Sequence, residues 1–328
     1  MTAAPHRIDT HHHLMPSFYV DAAARHGITT AGDIPLPRWT VESALALMDR
    51  SGIATGVGSI AAPGVHFGDR AEARALARRC NEFAARLVAD HPQRFGSFAV
   101  LPLPDVELAL EEVAYAFDTL HADGVVLLAS YDEHYLGDPR FEPLFAELDR
   151  RKAVVFVHPT IPVSSHALKL AMPGAMIEFV FDTTRAVANL IYSGTLERYR
   201  NLSIILAHAG GTVPFVSWRI AQGDRIPALL EKAPRGAVAY LERLYYDTAM
   251  SANRHALASL HELVDPSHIV FGSDTPFLPE PLIQESERGL AAYAPFDAAT
   301  RAGIERDNAL ALFPRLRERA QSQTKVTA

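Results

Sequence analysis

Residues 153–159 read AVVFVHP, an unbroken apolar run that ends in a histidine and a proline. A strand exposed on one face alternates apolar and polar residues; a run without that alternation fits a strand covered on both faces, as in a parallel sheet. Similar runs occur at GVVLL (124–128) and SIILA (203–207). Working outward from them, strands are expected near Arg7–Thr10, Gly56–Ile60, Phe95–Val100, Gly124–Leu128, Ala153–Val157, Leu202–Ala207, Arg243–Tyr246 and His268–Phe271. Helical periodicity fills the gaps. Val41–Ser51 follows Thr40 as N-cap, and Asp69 opens a helix with Leu76, Cys80, Phe83 and Leu87 on one side. Asp105–His121, Phe141–Arg151, Glu178–Ser193, Pro214–Ile226, Asn253–Val264 and Arg301–Phe313 follow. This alternation predicts an α/β fold, a (β/α)8 TIM barrel. An open doubly wound sheet is the alternative.

The chain has 328 residues, enough for one large domain or two small ones. No linker or repeat divides it, so residues 1–328 are expected to form a single barrel domain, with 314–328 as a polar, frayed tail. Hydrophobic residues are 48% and charged residues 21%, which excludes disorder. The net charge of −7 argues against nucleic acid or an anionic membrane as partner. No apolar stretch approaches the roughly 20 residues that span a bilayer. The single cysteine, Cys80, allows no intrachain disulfide, and with no leader-like N-terminus a cytoplasmic setting is expected.

The chain has 15 histidines, and several stand where the strands end. The first strand leads into His11-His12-His13, the fifth into His158, the sixth into His208-Ala209-Gly210-Gly211, the seventh into Asp247 and the eighth into Ser273-Asp274. In a closed barrel these ends share one face, where active sites are built. Side chains alternate along a strand, so His11 and His13 point together and His12 points away. With His158 and Asp274 they make a three-nitrogen, one-carboxylate set suited to a single ion, zinc or a similar first-row divalent metal. A bridged pair of ions usually needs a lysine ending strand four, and 124–131 contains none. Taken singly, His158 reads first as a core histidine, but the VVFVHP run places it at a strand's C-terminal end; a turn or N-cap role before Pro276 is the alternative for Asp274. His208 is the natural acid–base group or a fourth ligand. Asp247 anchors a ligating histidine or caps a turn.

The segments IDTHHHLMP, VFVHPT, IILAHAGG and VFGSDTPF together resemble the amidohydrolase superfamily, in the branch of aminocarboxymuconate-semialdehyde and salicylate-type decarboxylases. The resemblance spans about Ile8 to Phe313. It implies His11, His13, His158 and Asp274 as metal ligands and His208 as the catalytic histidine, with Asp274 sharing the proton chemistry. Residues 124–160 and 178–196 are similar, more narrowly, to 6-methylsalicylate decarboxylases. That likeness implies a small aromatic carboxylic acid substrate, ring-carbon protonation and loss of CO2 without a redox cofactor. It also implies a homodimer and a carboxylate-binding arginine a few turns after the catalytic histidine: Arg219, with Arg185 as second candidate. The alternative activity is hydrolysis of a lactone or amide by metal-activated water. Specificity is expected from two long loops: Leu14–Trp39, with Met15, Phe18, Tyr19 and Trp39 to wall an aromatic ring, and Thr160–Ile177. Phe277 and Tyr131 are further expected wall residues.

Overall fold

The computed structural model describes residues 6–319. Eight strands follow in sequence order around one sheet: β1 (Arg7–His13), β2 (Ile53–Ser59), β3 (Phe95–Val100), β4 (Gly124–Leu128), β5 (Val154–His158), β6 (Ser203–Leu206), β7 (Tyr245–Asp247) and β8 (Ile269–Val270). Each consecutive pair is parallel. The two edges meet: Thr10 N–H donates to Phe271 O at 2.9 Å and His13 N–H to Thr275 O at 2.7 Å. The sheet is therefore a nearly closed barrel with helices around it, as the alternation predicted, and not an open doubly wound sheet.

The unalternated strands are covered on both faces. Every residue of Val154–His158 is buried. Inside the barrel Phe98 stacks on Phe156 with ring centroids 5.5 Å apart, and Phe313 closes on Phe98 from below. Burying such a phenyl contributes about 2–3 kcal/mol. Outside, the helices begin where the polar caps predicted. Thr40 accepts the Ser43 N–H, Asp69 that of Glu72, Asp105 that of Leu108, and Asn253 those of His255 and Ala256.

Several boundaries differ from expectation. β1 does not stop at Thr10 but runs through His13, paired with Ser59 of β2, so the histidines lie within a strand and not in the loop beyond it. The helix expected over Pro214–Ile226 ends at Ile220, whose carbonyl takes the Tyr192 hydroxyl at 2.6 Å, and a 3-10 turn Ala221–Arg225 follows. The last helix is interrupted by a π-helical turn, Gly303–Asp307. Residues 314–319, expected as part of a frayed tail, are helical, with Leu316 buried and Arg315 paired with Asp123. The remainder of that expected tail, 320–328, lies outside the described residues.

Candidate metal centre

The C-terminal ends of β1, β5 and β8 bring His11, His13, His158 and Asp274 together. One ligand atom from each lies within 4.8 Å of all the others. His11 Nε2 and His13 Nε2 are 3.0 Å apart, and Asp274 Oδ1 stands 3.3 and 3.2 Å from them. All four side chains are buried. Phe156 lies under the cluster, 4.9 Å from the His11 ring.

Each imidazole is held from behind by its other nitrogen. His11 Nδ1–H donates to Asp247 Oδ2 at 2.7 Å and His158 Nδ1–H to Pro159 O at 2.7 Å. Ser59 donates its hydroxyl to His12 O, so its oxygen accepts from His13 Nδ1–H at 3.1 Å. These bonds fix the tautomers and leave all three Nε2 atoms as lone-pair donors aimed at one point. With all three rings neutral, lone pairs 3.0 Å apart would repel, and a positive charge between them, a proton on His11 or a metal ion, relieves the repulsion. The residues fit a divalent ion on that ground. The same field acts on protons. Burial opposes charging of His11, but Asp247 and Asp274 outweigh it and push its pKa up to about 10. Burial holds His13 below the ordinary imidazole range and His158 well below it. Burial alone would raise Asp274; His11 beside it keeps it well below the usual carboxylate range.

Asp247 does both things its position allowed. Beyond His11, its Oδ1 accepts the N–H of His208 at 2.8 Å and of Ala249 at 3.0 Å, so one carboxylate sets a ligand ring and the backbone of the neighbouring histidine. His208 stands beside the donor group and not within it, with Nε2 3.4 Å from Asp274 Oδ2 and Nδ1 buried without a partner. Its close seat needs the glycines after it: at Gly211, φ +66°, a Cβ would overlap the Val180 carbonyl. His12 points away from the cluster, onto Asp9.

Above the cluster lies a cavity of about 310 Å³. His158, His208 and Asp274 form its polar floor; Ala62, Phe179, Met250, Phe277 and Leu278 are among its apolar walls. Outside that floor Ser251 is its one polar side chain among the described residues. Phe277 is 5.4 Å from the His13 ring, as an expected wall residue, while Phe179, 5.8 Å from His158, was not foreseen.

Several expected contacts do not form. Phe18 and Trp39 pack outward on Phe83, Tyr19 is buried with its hydroxyl on Gly64 O, and Met15 lies in the core. The first loop instead reaches the cavity through Ala31 and Ile34, and the second through Ala175 and Met176. Gly32-Asp33 between Thr30-Ala31 and Ile34-Pro35 is the sequence signal of that hairpin. Tyr131 lines a neighbouring cavity and bonds Leu128 N–H. Arg219 is not brought to the cavity of its own chain. It is exposed on the helix Val213–Ile220, next to Trp218 (72% exposed) and near Phe215 (85%). Arg185 is also exposed, facing Asp182 and Tyr135.

A closed parallel barrel with a buried three-imidazole, one-carboxylate group at its strand ends defines a class, the metal-dependent barrel enzymes. Sequence comparison makes the assignment specific: the amidohydrolase family model matches residues 8–315, and the chain belongs to that family. It is 39% identical to a 6-methylsalicylic acid decarboxylase of Aspergillus aculeatus, covering 95% of this chain and 97% of the relative. It is 38% identical to the 6-methylsalicylic acid decarboxylase of Penicillium expansum, with coverage of 95% and 97%. Among solved structures, a dihydroxybenzoic acid decarboxylase from a Polaromonas species, with bound manganese and the inhibitor 2-nitroresorcinol, is 26% identical. It superposes with a TM-score of 0.79 over 94% of this chain and 97% of that one.

Proposed function

We propose that the protein is a metal-dependent, non-oxidative decarboxylase of hydroxybenzoate-type acids, with 6-methylsalicylate or a close analogue as substrate. The observation that carries this is the joint placement of four ligand atoms within 4.8 Å and an apolar cavity directly above them. His11, His13, His158 and Asp274 would hold one divalent ion. Three nitrogen donors favour zinc, and the manganese of the related decarboxylase is the alternative. Such an ion supplies the positive charge that binds an ortho hydroxyl and carboxylate together and orients the ring.

The protein's own groups do the rest. Phe179, Phe277 and the alkyl side chains around them bury the ring and exclude water. Asp274 would be engaged with the ion, so its neighbour His208 is the group assigned to carry the proton, at Nε2 beside Asp274 Oδ2. The proton moves to the ring carbon that bears the carboxylate. The bond to the carboxyl carbon then breaks, its electron pair restores the aromatic ring, and CO2 leaves. The exposed aromatic face of the helix Val213–Ile220 is assigned to a second copy of the chain, bringing Arg219 to the substrate carboxylate of the partner's cavity as a bidentate donor. No helix among the described residues is long and apolar enough to cross a membrane; with buried, unpaired Cys80, a cytoplasmic enzyme is the reading adopted.

The test is a substrate panel with metal-loaded protein: 6-methylsalicylate, salicylate and 2,6-dihydroxybenzoate beside simple lactones. Release of 3-methylphenol and CO2 from 6-methylsalicylate is expected. Lactone cleavage with no turnover of any acid assigns the hydrolytic alternative instead.

A further inference from the structure

The roof of the cavity is built from two loops that are far apart in sequence and tied at one point. Thr30–Ala31 pairs antiparallel with Ile34–Pro35, and the two turn residues between them, Gly32 and Asp33, have φ of +56° and +68°. Positive φ at both positions makes a tight primed turn, which aims the hairpin tip as a rigid unit. That tip meets the short 3-10 turn Gly174–Met176. Gly174 N–H donates to Asp33 Oδ2 at 2.8 Å, and Ala175 N–H donates to Gly32 O at 2.9 Å. The approach leaves no spare room: a Cβ on Gly32 would stand 2.8 Å from both Ala175 Cβ and Phe179 Cζ. Phe179 in turn lies against the His158 ring.

We propose that this clasp is a specificity-determining device, with Asp33 as its positioning residue: it holds residues 160–177 down on the ring of the aromatic acid. Ala31 and Ile34 on one side of the clasp and Ala175 and Met176 on the other all line the cavity, so its width over the ring is fixed by the two hydrogen bonds. The rest of the second loop has little to hold it. Residues 166–172 are exposed throughout, and the loop's other side-chain ties lie before them, where Thr160 N–H bonds Asp182 and Ser165 bonds Glu178. Freed at Gly174, the loop would swing on those earlier ties and carry Met176 off the cavity. Asp33 itself does not line the cavity; it acts through the backbone it clamps.

The role in catalysis rests on the decarboxylase reading; the clamping itself does not. Asp33→Gly removes the acceptor without straining a positive-φ position, while Asp33→Asn keeps an acceptor oxygen there. The Gly variant is expected to raise KM for 6-methylsalicylate about tenfold with kcat within about twofold and metal content unchanged; the Asn variant should restore KM. Hydrogen exchange gives a readout independent of turnover: amides of 166–176 should exchange faster in Asp33→Gly, while the helix Glu178–Tyr192 stays protected. Unchanged exchange and KM in Asp33→Gly, or an Asn variant that behaves like Gly, overturns the proposal. Faster exchange in a protein that turns over no aromatic acid overturns the decarboxylase reading and leaves the clasp standing.

Discussion

The floor and the roof of the cavity are built on opposite principles. The floor consists of side chains at or just beyond the ends of β1, β5, β6 and β8, and its three candidate ligand imidazoles are each backed by a hydrogen bond: Asp247 under His11, Ser59 behind His13, Pro159 O on His158. The roof is two irregular loops that meet at a hairpin tip. Strand geometry fixes where the floor residues point, and burial fixes their tautomers, so the floor is rigid before anything binds. The roof is held where two loops meet, by one side-chain and one backbone hydrogen bond at a hairpin tip. On the proposed reading, chemistry belongs to the floor and substrate choice to the roof.

Breaking the floor gives the largest effects. His158→Ala is expected to lower kcat/KM by at least about 10³-fold in metal-supplemented assays, because the ion loses one of its three nitrogens. Circular dichroism should show the barrel intact. His208→Asn separates proton transfer from metal binding: metal content stays at the wild-type level while kcat falls by about 10²–10⁴-fold. A variant that loses metal as well makes His208 a ligand. Arg219→Ala tests the part of the roof assigned to a second copy. KM for the acid should rise by roughly tenfold or more, with metal content unchanged and Arg219→Lys intermediate. Mixing Arg219→Ala with an inactive His208→Asn chain should restore sites that draw one good half from each.

The smallest expected effect is on the tie at the start of the roof. Asp182 Oδ2 accepts the Thr160 N–H and Oδ1 the Ser130 hydroxyl, both at 2.9 Å. Burial nevertheless raises its pKa from 3.8 to about 6, the two hydrogen bonds offsetting only part of the cost. The folded protein therefore holds this proton more tightly than the unfolded chain does. The group's stabilisation is fully present below pH 4 and is lost as pH rises through 6, an effect of about 1–3 kcal/mol. Denaturant unfolding of wild type against Asp182→Asn at pH 4 and pH 7 reads it: the wild type should lose ground to the variant between the two. Equal stability differences at both pH values contradict the assignment.

The same contrast explains what the sequence could reveal. The apolar runs of β4, β5 and β6 cannot be solvent-facing strands, and a histidine closing such a run can lie only at the barrel mouth. His11 and His13 were paired by a two-residue period that holds in any strand. Asp247 stands where a strand ends, and only the fold shows that it serves both His11 and His208. The roof was misread for a physical reason. Phe18 and Trp39 look like an aromatic wall by composition, but their direction depends on Phe83, in a helix far along the chain, and they pack there. Ala31, Ile34 and Phe179 reach the cavity through contacts between loops, which leave no periodic trace. Arg219 was found by likeness alone; nothing in its own helix points it at a ligand.

The most direct test is a metal titration of stripped protein with CO2 release from 6-methylsalicylate followed at each addition. Turnover should rise in proportion to bound metal and level off at one ion per chain. Full turnover in metal-free protein, or a rise that continues to two ions per chain, contradicts a single cation held by His11, His13, His158 and Asp274.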